Sequence, residues 1–355
     1  MTGRSPLRVG LDAFPALTHP PGVGRYAREL ARAVTELGEA EPVLLELGRG
    51  RRSLPPSSLG AAAHLRRLVP IPERAGRLLA RVGLDPARLC GSVDVFHQVR
   101  RGWIPVRSSP TTTAVSEWCA PGQEEQLAAE LSSHSGIFVF SGDYATRLEQ
   151  LGVASELIHQ VPVGADHWTR ELAQDATSPA HQGPPRLLVL GAPREGRGHL
   201  EILSACEELH AGGLALELLF VSTRLDPTSS LAGRVEASPL REAVTWIAPR
   251  EAELPALVRS CDLLVHLSAD EGTPVTPAEA AHLGLRLLLS PLPAFQETLG
   301  GLALWHAPDQ PLAPQLEAAL GFEPDPVALE LLREATTWSR SASAHLRTWR
   351  RIGGS

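Results

Sequence analysis

The chain has 355 residues, 43% of them apolar and 21% charged, a balance that supports a buried core, and its length favours two domains of ordinary size. No apolar run approaches the roughly 18 residues a membrane span needs, and the start MTGRSPLRVGLDAF has no signal-peptide core, so a cytoplasmic protein is expected. The net charge of −7 is uneven: residues 1–170 carry 19 Arg against 17 acids (+2), residues 171–355 carry 14 against 23 (−9), and so weak a basic half excludes nucleic acid as a partner.

Leu7–Phe14 reads as a buried strand, followed by a Pro/Gly-rich loop (15–24) and the amphipathic helix GRYARELARAVTELG, with Gly38 as its stop. Pro42–Leu47 is a second apolar run, and strand, helix, strand in this order implies a parallel βαβ unit. Residues 49–90 break the rhythm. There LRRLVPIPERAGRLLARVGL (65–84) interleaves leucine with arginine, a pattern compatible with a solvated helix pair or with peripheral contact at an anionic membrane face. Pro70 and Pro72 interrupt the helical pattern and favour the first of these. The rhythm resumes with VDVFH (93–97), TTTAV (111–115), GIFVF (136–140), a helix over 143–152 and LIHQVPVG (157–164). RELAQDATSPAHQGPPR (170–186) has linker composition. A second series follows: PRLLVLG (185–191), a helix over 199–210, LALELLFVS (214–222), AVTWIA (243–248), ELPALVRS (253–260), DLLVHLS (262–268), a helix over 277–282, LRLLLS (285–290) and further helices.

This succession predicts two Rossmann-like α/β domains, 1–169 and 187–335, joined by a linker at 170–186 and followed by a C-terminal helix (336–355) with the option of packing back on the first domain. In such sheets ligands bind beyond the carboxyl ends of the strands, so the loops after strands carry the chemistry. The sharpest signal is EGTPVTPAEA (271–280): Glu271 follows the strand DLLVHLS, and Glu279 falls in the first turn of the next helix. Backbone amides between them and a helix N-terminus suit a diphosphate. Thr276-Pro277-Ala278-Glu279 is equally a capping box, which alone would account for Glu279. GAPREGRGH (191–199) places Arg194 and Arg197 in a glycine-rich strand-to-helix loop, where guanidinium groups can pair with phosphate oxygens. In PPGVGRYA, Gly22 and Gly24 permit close backbone approach, but this stretch begins too far after its strand for a dehydrogenase fingerprint. Cys90, Cys119, Cys206 and Cys261 are isolated, which argues against a zinc site or a disulfide framework.

The block EGTPVTPAEAAHLGLRLLLSPLPAFQETLGGLAL resembles the signature of group 1 retaining glycosyltransferases (glycosyltransferase family 4), with its EGxxxxxxEA core, Gly284, Ser290 and Glu297. LRVGLDAF with PPGVGRYARELARAV, VDVFH, residues 138–168, VTWIAPREAELPALVRSCD and TTWSRSASAHLRTW are similar, in order, to other blocks of that family. The resemblance spans nearly the whole chain except 49–90 and the linker.

It implies a GT-B fold, two Rossmann-like domains facing across a cleft, and retaining transfer from a nucleoside-diphosphate sugar to a glycan or lipid-linked acceptor. Within it, Glu279 would hydrogen-bond the donor ribose and Glu271 the transferred sugar, while the amides of Gly272 and Thr273 face the diphosphate or sugar. Arg197 stands at the family's lysine position and Arg194 substitutes for its arginine; Ile247–Arg250 would meet the base through backbone. Gly22 and Gly24 would approach the donor phosphate or acceptor. No metal or cofactor is implied, since the sequence has no DxD and arginine can take the cation's role. Localisation would be cytoplasmic, with peripheral contact at the inner membrane face through 49–90. Two departures stand out: Ser116-Glu117, or Val115-Ser116 if the register slips by one, stands where the family has His-Asp, and Pro274 replaces a loop glycine. They support an alternative, a catalytically degenerate glycosyltransferase-like partner or scaffold.

Overall fold

The computed structural model describes residues 6–13, 22–47, 66–69, 75, 78, 83–101, 104–173, 181, 183–222 and 228–354. They fall into two units, one running up to Gly164 and resuming at Thr336, the other spanning Ala165–Ala335.

The first unit holds a parallel seven-stranded sheet: β1 (Leu7–Asp12), β2 (Ala40–Leu47), β3 (Arg66–Val69), β4 (Val95–Gln98), β5 (Thr111–Val115), β6 (Gly136–Val139) and β7 (Ile158–Gln160), in the order β3-β2-β1-β4-β5-β6-β7. β4, β5 and β6 are buried at every position, as strands covered on both faces must be. Helix α1 (Val23–Leu37) follows β1 and buries Tyr26, Ala27, Leu30, Ala31 and Val34, one stripe at helical spacing. Gly38, at φ 66°, ends it in the left-handed conformation, its N–H bonding to the Thr35 carbonyl. Strand β3 overturns the helical reading of 65–84 at Arg66–Val69. Those residues form the sheet edge, where charged side chains such as the exposed Arg67 are expected. Most of 49–82 lies outside the described residues, and so does the surface-contact reading of it.

The C-terminal helix α13 (Trp338–Gly353) belongs to this first unit. Its buried stripe is Trp338, Ser341, Ala342, His345, Leu346 and Trp349. A Cβ on Gly164 would lie 2.2 Å from the Trp338 ring, so only glycine fits there. A continuous hydrogen-bond chain then joins helix to sheet. Trp349 Nε1 and Thr112 Oγ1 are 3.0 Å apart, and His97 Nδ1 is 3.0 Å from the same oxygen. His97 Nε2 and His345 Nε2 lie 2.9 and 2.8 Å from the Tyr26 hydroxyl, and His345 Nδ1 is 2.8 Å from the Ser341 carbonyl. One proton arrangement satisfies every group: Trp349 donates to Thr112, Thr112 to His97, His97 to Tyr26, Tyr26 to His345, and His345 to the carbonyl. Both imidazoles are then neutral. Burial holds the pKa of His97 well below its ordinary value and brings His345 down to about 4.

The second unit holds a parallel six-stranded sheet: β8 (Arg186–Leu190), β9 (Glu217–Val221), β10 (Val244–Ile247), β11 (Leu263–His266), β12 (Arg286–Leu289) and β13 (Leu304–Trp305), ordered β10-β9-β8-β11-β12-β13. Alternate residues of β11 serve two cores: Leu263 and Val265 join the cluster of Ile202, Phe220 and Leu316, while Leu264 joins that of Val258, Leu289 and Phe295. The first helix of this unit, α5 (His167–Ala173), overlaps the end of the expected first domain and the start of the expected linker. It belongs here because Trp168 packs into the second of these clusters. Residues 174–180 of the expected linker lie outside the described residues. No described helix is long and apolar enough to cross a membrane.

Candidate functional site

Both sheets follow the doubly wound order 3-2-1-4-5-6, with a switch point where the chain reverses direction across the sheet. In the second unit that point lies between β8 and β11. The loop after β8 (191–198) leads into helix α6 (His199–Ala211), and the loop after β11 (267–274) leads into helix α9 (Val275–His282). Two helix N-termini therefore meet the crevice, each offering orphan amides and positive dipole.

Glycine lets these loops lie against each other. Gly196 and Gly198 have φ of 77° and 64°, and a Cβ on Gly198 would sit 2.8 Å from the Leu267 Cβ. The Ala269 amide donates to the Gly196 carbonyl at 3.0 Å, tying one loop to the other. The Ser268 amide donates to Ser290 Oγ at 2.9 Å, fixing the second loop to the end of β12.

Within this frame Arg197 and Glu271, 74 positions apart in the chain (271 − 197), form a direct ion pair. His266, the last residue of β11, completes the cluster. Its Nε2 lies 3.0 Å from Glu271 Oε1 and 3.2 Å from Arg197 Nη1. Burial pushes the Glu271 carboxyl up, but His266, Arg197 and Ser268 outweigh it and hold the group below its ordinary value. His266 was not singled out from sequence. The available signal was a histidine closing an otherwise apolar strand at the edge where such sheets bind ligands.

The other expected residues divide. Gly272 is buried and Thr273 half-buried, immediately before α9; the Thr273 carbonyl accepts from the Val275 amide. Arg194 is exposed on the 191–198 loop, its carbonyl accepting from the Arg197 amide at 3.2 Å. Glu279 is fully buried, and its Oε1 lies 3.3 Å from Nε2 of the buried His167. The capping-box reading is overturned: α9 begins at Val275, its N-cap is Pro274, no side chain caps it, and Thr276 lies within the helix. The helix starts early because Pro274 supplies a fixed φ of −79° and its carbonyl already accepts from the Ala278 amide. Ile247 is half-buried and its carbonyl is engaged by the Ser222 amide at 3.0 Å. Arg250 is exposed, with both its amide and its guanidinium held by Glu253.

Gly22 and Gly24 belong to the first unit. Gly22, at φ 65°, precedes α1, and Gly24 is buried in its first turn. At this unit's switch point, between β1 and β4, Arg100 Nε lies 3.8 Å from the buried Asp12 carboxylate. Ser116 and Glu117 follow β5, and His97 is buried in the network with Tyr26.

No protein-family model matches the chain, and no curated protein matches it. Solved structures do. A glycosyltransferase from Rickettsia africae superposes with a TM-score of 0.70 at 13% identity, covering 98% of this chain and 99% of that one. Sucrose-phosphate synthase from Thermosynechococcus elongatus gives 0.74 at 16% identity, again over 98% and 99%. HepE from Anabaena, solved in complex with UDP-glucose, gives 0.63 at 13% identity over 98% of each chain. Such a likeness, across both units, establishes the fold: a GT-B chain of two Rossmann-like units.

Proposed function

We propose that this chain is a retaining glycosyltransferase that takes a sugar from a nucleoside-diphosphate donor held by the second unit. The observation that carries this reading is the cluster of Arg197, His266 and Glu271 between two helix N-termini at a topological switch point. A diphosphate leaving group needs positive charge placed before the bond breaks. Arg197, with Arg194 on the same loop, and the amides leading into α6 and α9 supply it without a metal. Glu271, held ionised, suits a sugar hydroxyl. Glu279, Gly272 and Thr273 complete the donor side, with Ile247–Arg250 beside the base; Gly22 and Gly24 serve the phosphate or acceptor.

In a retaining reaction of this kind the acceptor attacks the sugar face from which the diphosphate departs. The leaving phosphate takes the acceptor's proton, so the absence of a histidine at Ser116-Glu117 removes no required base. The acceptor is a glycan or a lipid-linked glycan, and a cytoplasmic enzyme at the inner membrane face would reach either.

One observation favours a second reading, a degenerate partner protein. Glu271 is tied to Arg197, and Glu279 is buried against His167. Incubation with UDP-, GDP-, ADP- and dTDP-glucose, followed by release of nucleoside diphosphate, separates the two. Turnover that falls about 100- to 1,000-fold in Arg197→Ala supports the enzyme. Nucleotide binding with no release from any donor supports the scaffold.

A further inference from the structure

His266 presents one ring nitrogen to two opposite charges. To hydrogen-bond Glu271 Oε1 at 3.0 Å, Nε2 must carry a proton and donate; to bond Arg197 Nη1 at 3.2 Å, it must offer its lone pair and accept. It cannot do both. Arg197 meanwhile contacts the same Glu271 oxygen directly, so the three groups share one set of bonds. The groups facing this set are Ser268, which bonds the carboxylate, His199 at the start of α6, and the Phe295 ring, 5.7 Å from that of His266.

Resting on the donor reading above, an incoming diphosphate competes with Glu271 for Arg197. Were nothing else present, the departing guanidinium would leave a half-buried carboxylate short of a partner, and binding would bear that cost. We propose that His266 is a positioning residue that takes over Glu271 when the diphosphate draws Arg197 away. With Arg197 in place, the neutral ring accepts from it in the Nδ1–H tautomer. With Arg197 withdrawn, the Nε2–H tautomer donates to Glu271 and keeps the carboxylate aimed where the sugar arrives. The exchange moves one ring proton between the nitrogens through solvent and consumes none. The resting Arg197–Glu271 pair is thus a latch, and His266 is the catch that lets it open without losing Glu271.

The test is a double-mutant cycle read by calorimetric affinity for UDP, GDP, ADP and dTDP, with no sugar attached. Glu271→Gln tightens the bound nucleotide about 3- to 10-fold, because Arg197 is no longer held by an anion. His266→Leu alone weakens it about 10-fold, since opening the latch now leaves Glu271 with its Ser268 bond alone. In the Glu271→Gln background His266→Leu changes affinity by less than about 2-fold, the coupling expected of groups that act on each other. His266→Gln, whose amide can still donate, restores affinity to near that of the wild type. Equal weakening by His266→Leu in both backgrounds would show a merely structural histidine and overturn the proposal, as would Glu271→Gln without tightening. A folded wild type that binds none of the four nucleotides sinks the donor reading itself, and the latch with it.

Discussion

At the scale of the residue, chemistry in this chain is set by what each polar group faces once buried. His345 illustrates it in the first unit. Its neutral ring is locked between Tyr26 and the Ser341 carbonyl, and burial depresses its pKa from 6.5 to about 4. The folded chain refuses a proton that the unfolded chain accepts below pH 6.5. The stability contribution is therefore fully present above pH 6.5 and falls as pH drops towards 4, by up to roughly 3 kcal/mol. His97, depressed for the same reason, acts in the same direction. Urea midpoints at pH 7.5, 6 and 5 should fall with pH, and His345→Asn should flatten that slope while lowering stability at pH 7.5. An unchanged slope in the variant would remove His345 from the acid response. These pairings could not be read from the sequence. Tyr26 and His345 stand 319 positions apart, and His167 and Glu279 stand 112 apart (279 − 167). Only the fold brings such groups together. Glu271 and Arg197 were legible because each lies in a loop after a strand, where doubly wound sheets gather their chemistry.

At the scale of the element, caps decide helix ends, and the two threonines at helix starts should behave differently. Thr337 Oγ1 accepts from the Arg340 amide at 3.2 Å, whereas Thr276 caps nothing. Thr337→Ala should cost about 1 kcal/mol in chemical denaturation, and Thr276→Ala no more than about 0.5 kcal/mol. Equal losses would mean that Thr276 caps α9 and that the helix begins at Pro277, two residues later than described. The TPAE spelling misled because a capping box is a pattern of side chains, whereas the start of a helix depends on backbone that Pro274 had already committed. Gly198 carries a second prediction. With φ 64° and Leu267 in the way, Gly198→Ala should cost roughly 1–2 kcal/mol and weaken nucleotide binding, because the Arg197 loop must lift from the β11 loop. Strands such as Leu263–His266, within DLLVHLS, were legible as apolar runs after a helical segment. Strand β3 was not, because Arg66-Arg67 at a sheet edge looks like a helix surface or a loop.

At the scale of the whole molecule, the recurrence of the order 3-2-1-4-5-6 in both sheets is the fact from which the rest follows. Each sheet opens one switch point. That of the second unit is lined by Arg197, His266 and Glu271; that of the first by Asp12 and Arg100. Two βα series were legible in the sequence because each strand is a short apolar run followed by a helix-period segment. The division between units was less legible. The Ala- and Pro-rich composition of 170–186 drew attention there, whereas the contacts divide at Gly164–Ala165, since Trp168 belongs to the second core.

In the proposed function the second unit binds a nucleoside diphosphate through Arg197. Thermal unfolding of the wild type and of Arg197→Ala, each with UDP, GDP, ADP and dTDP, tests it most directly. One nucleotide at 100 times its dissociation constant should add about 2.7 kcal/mol to the wild type, and the same concentration should do far less for the variant. No stabilisation of the wild type by any of the four, or equal stabilisation of both proteins, would contradict it.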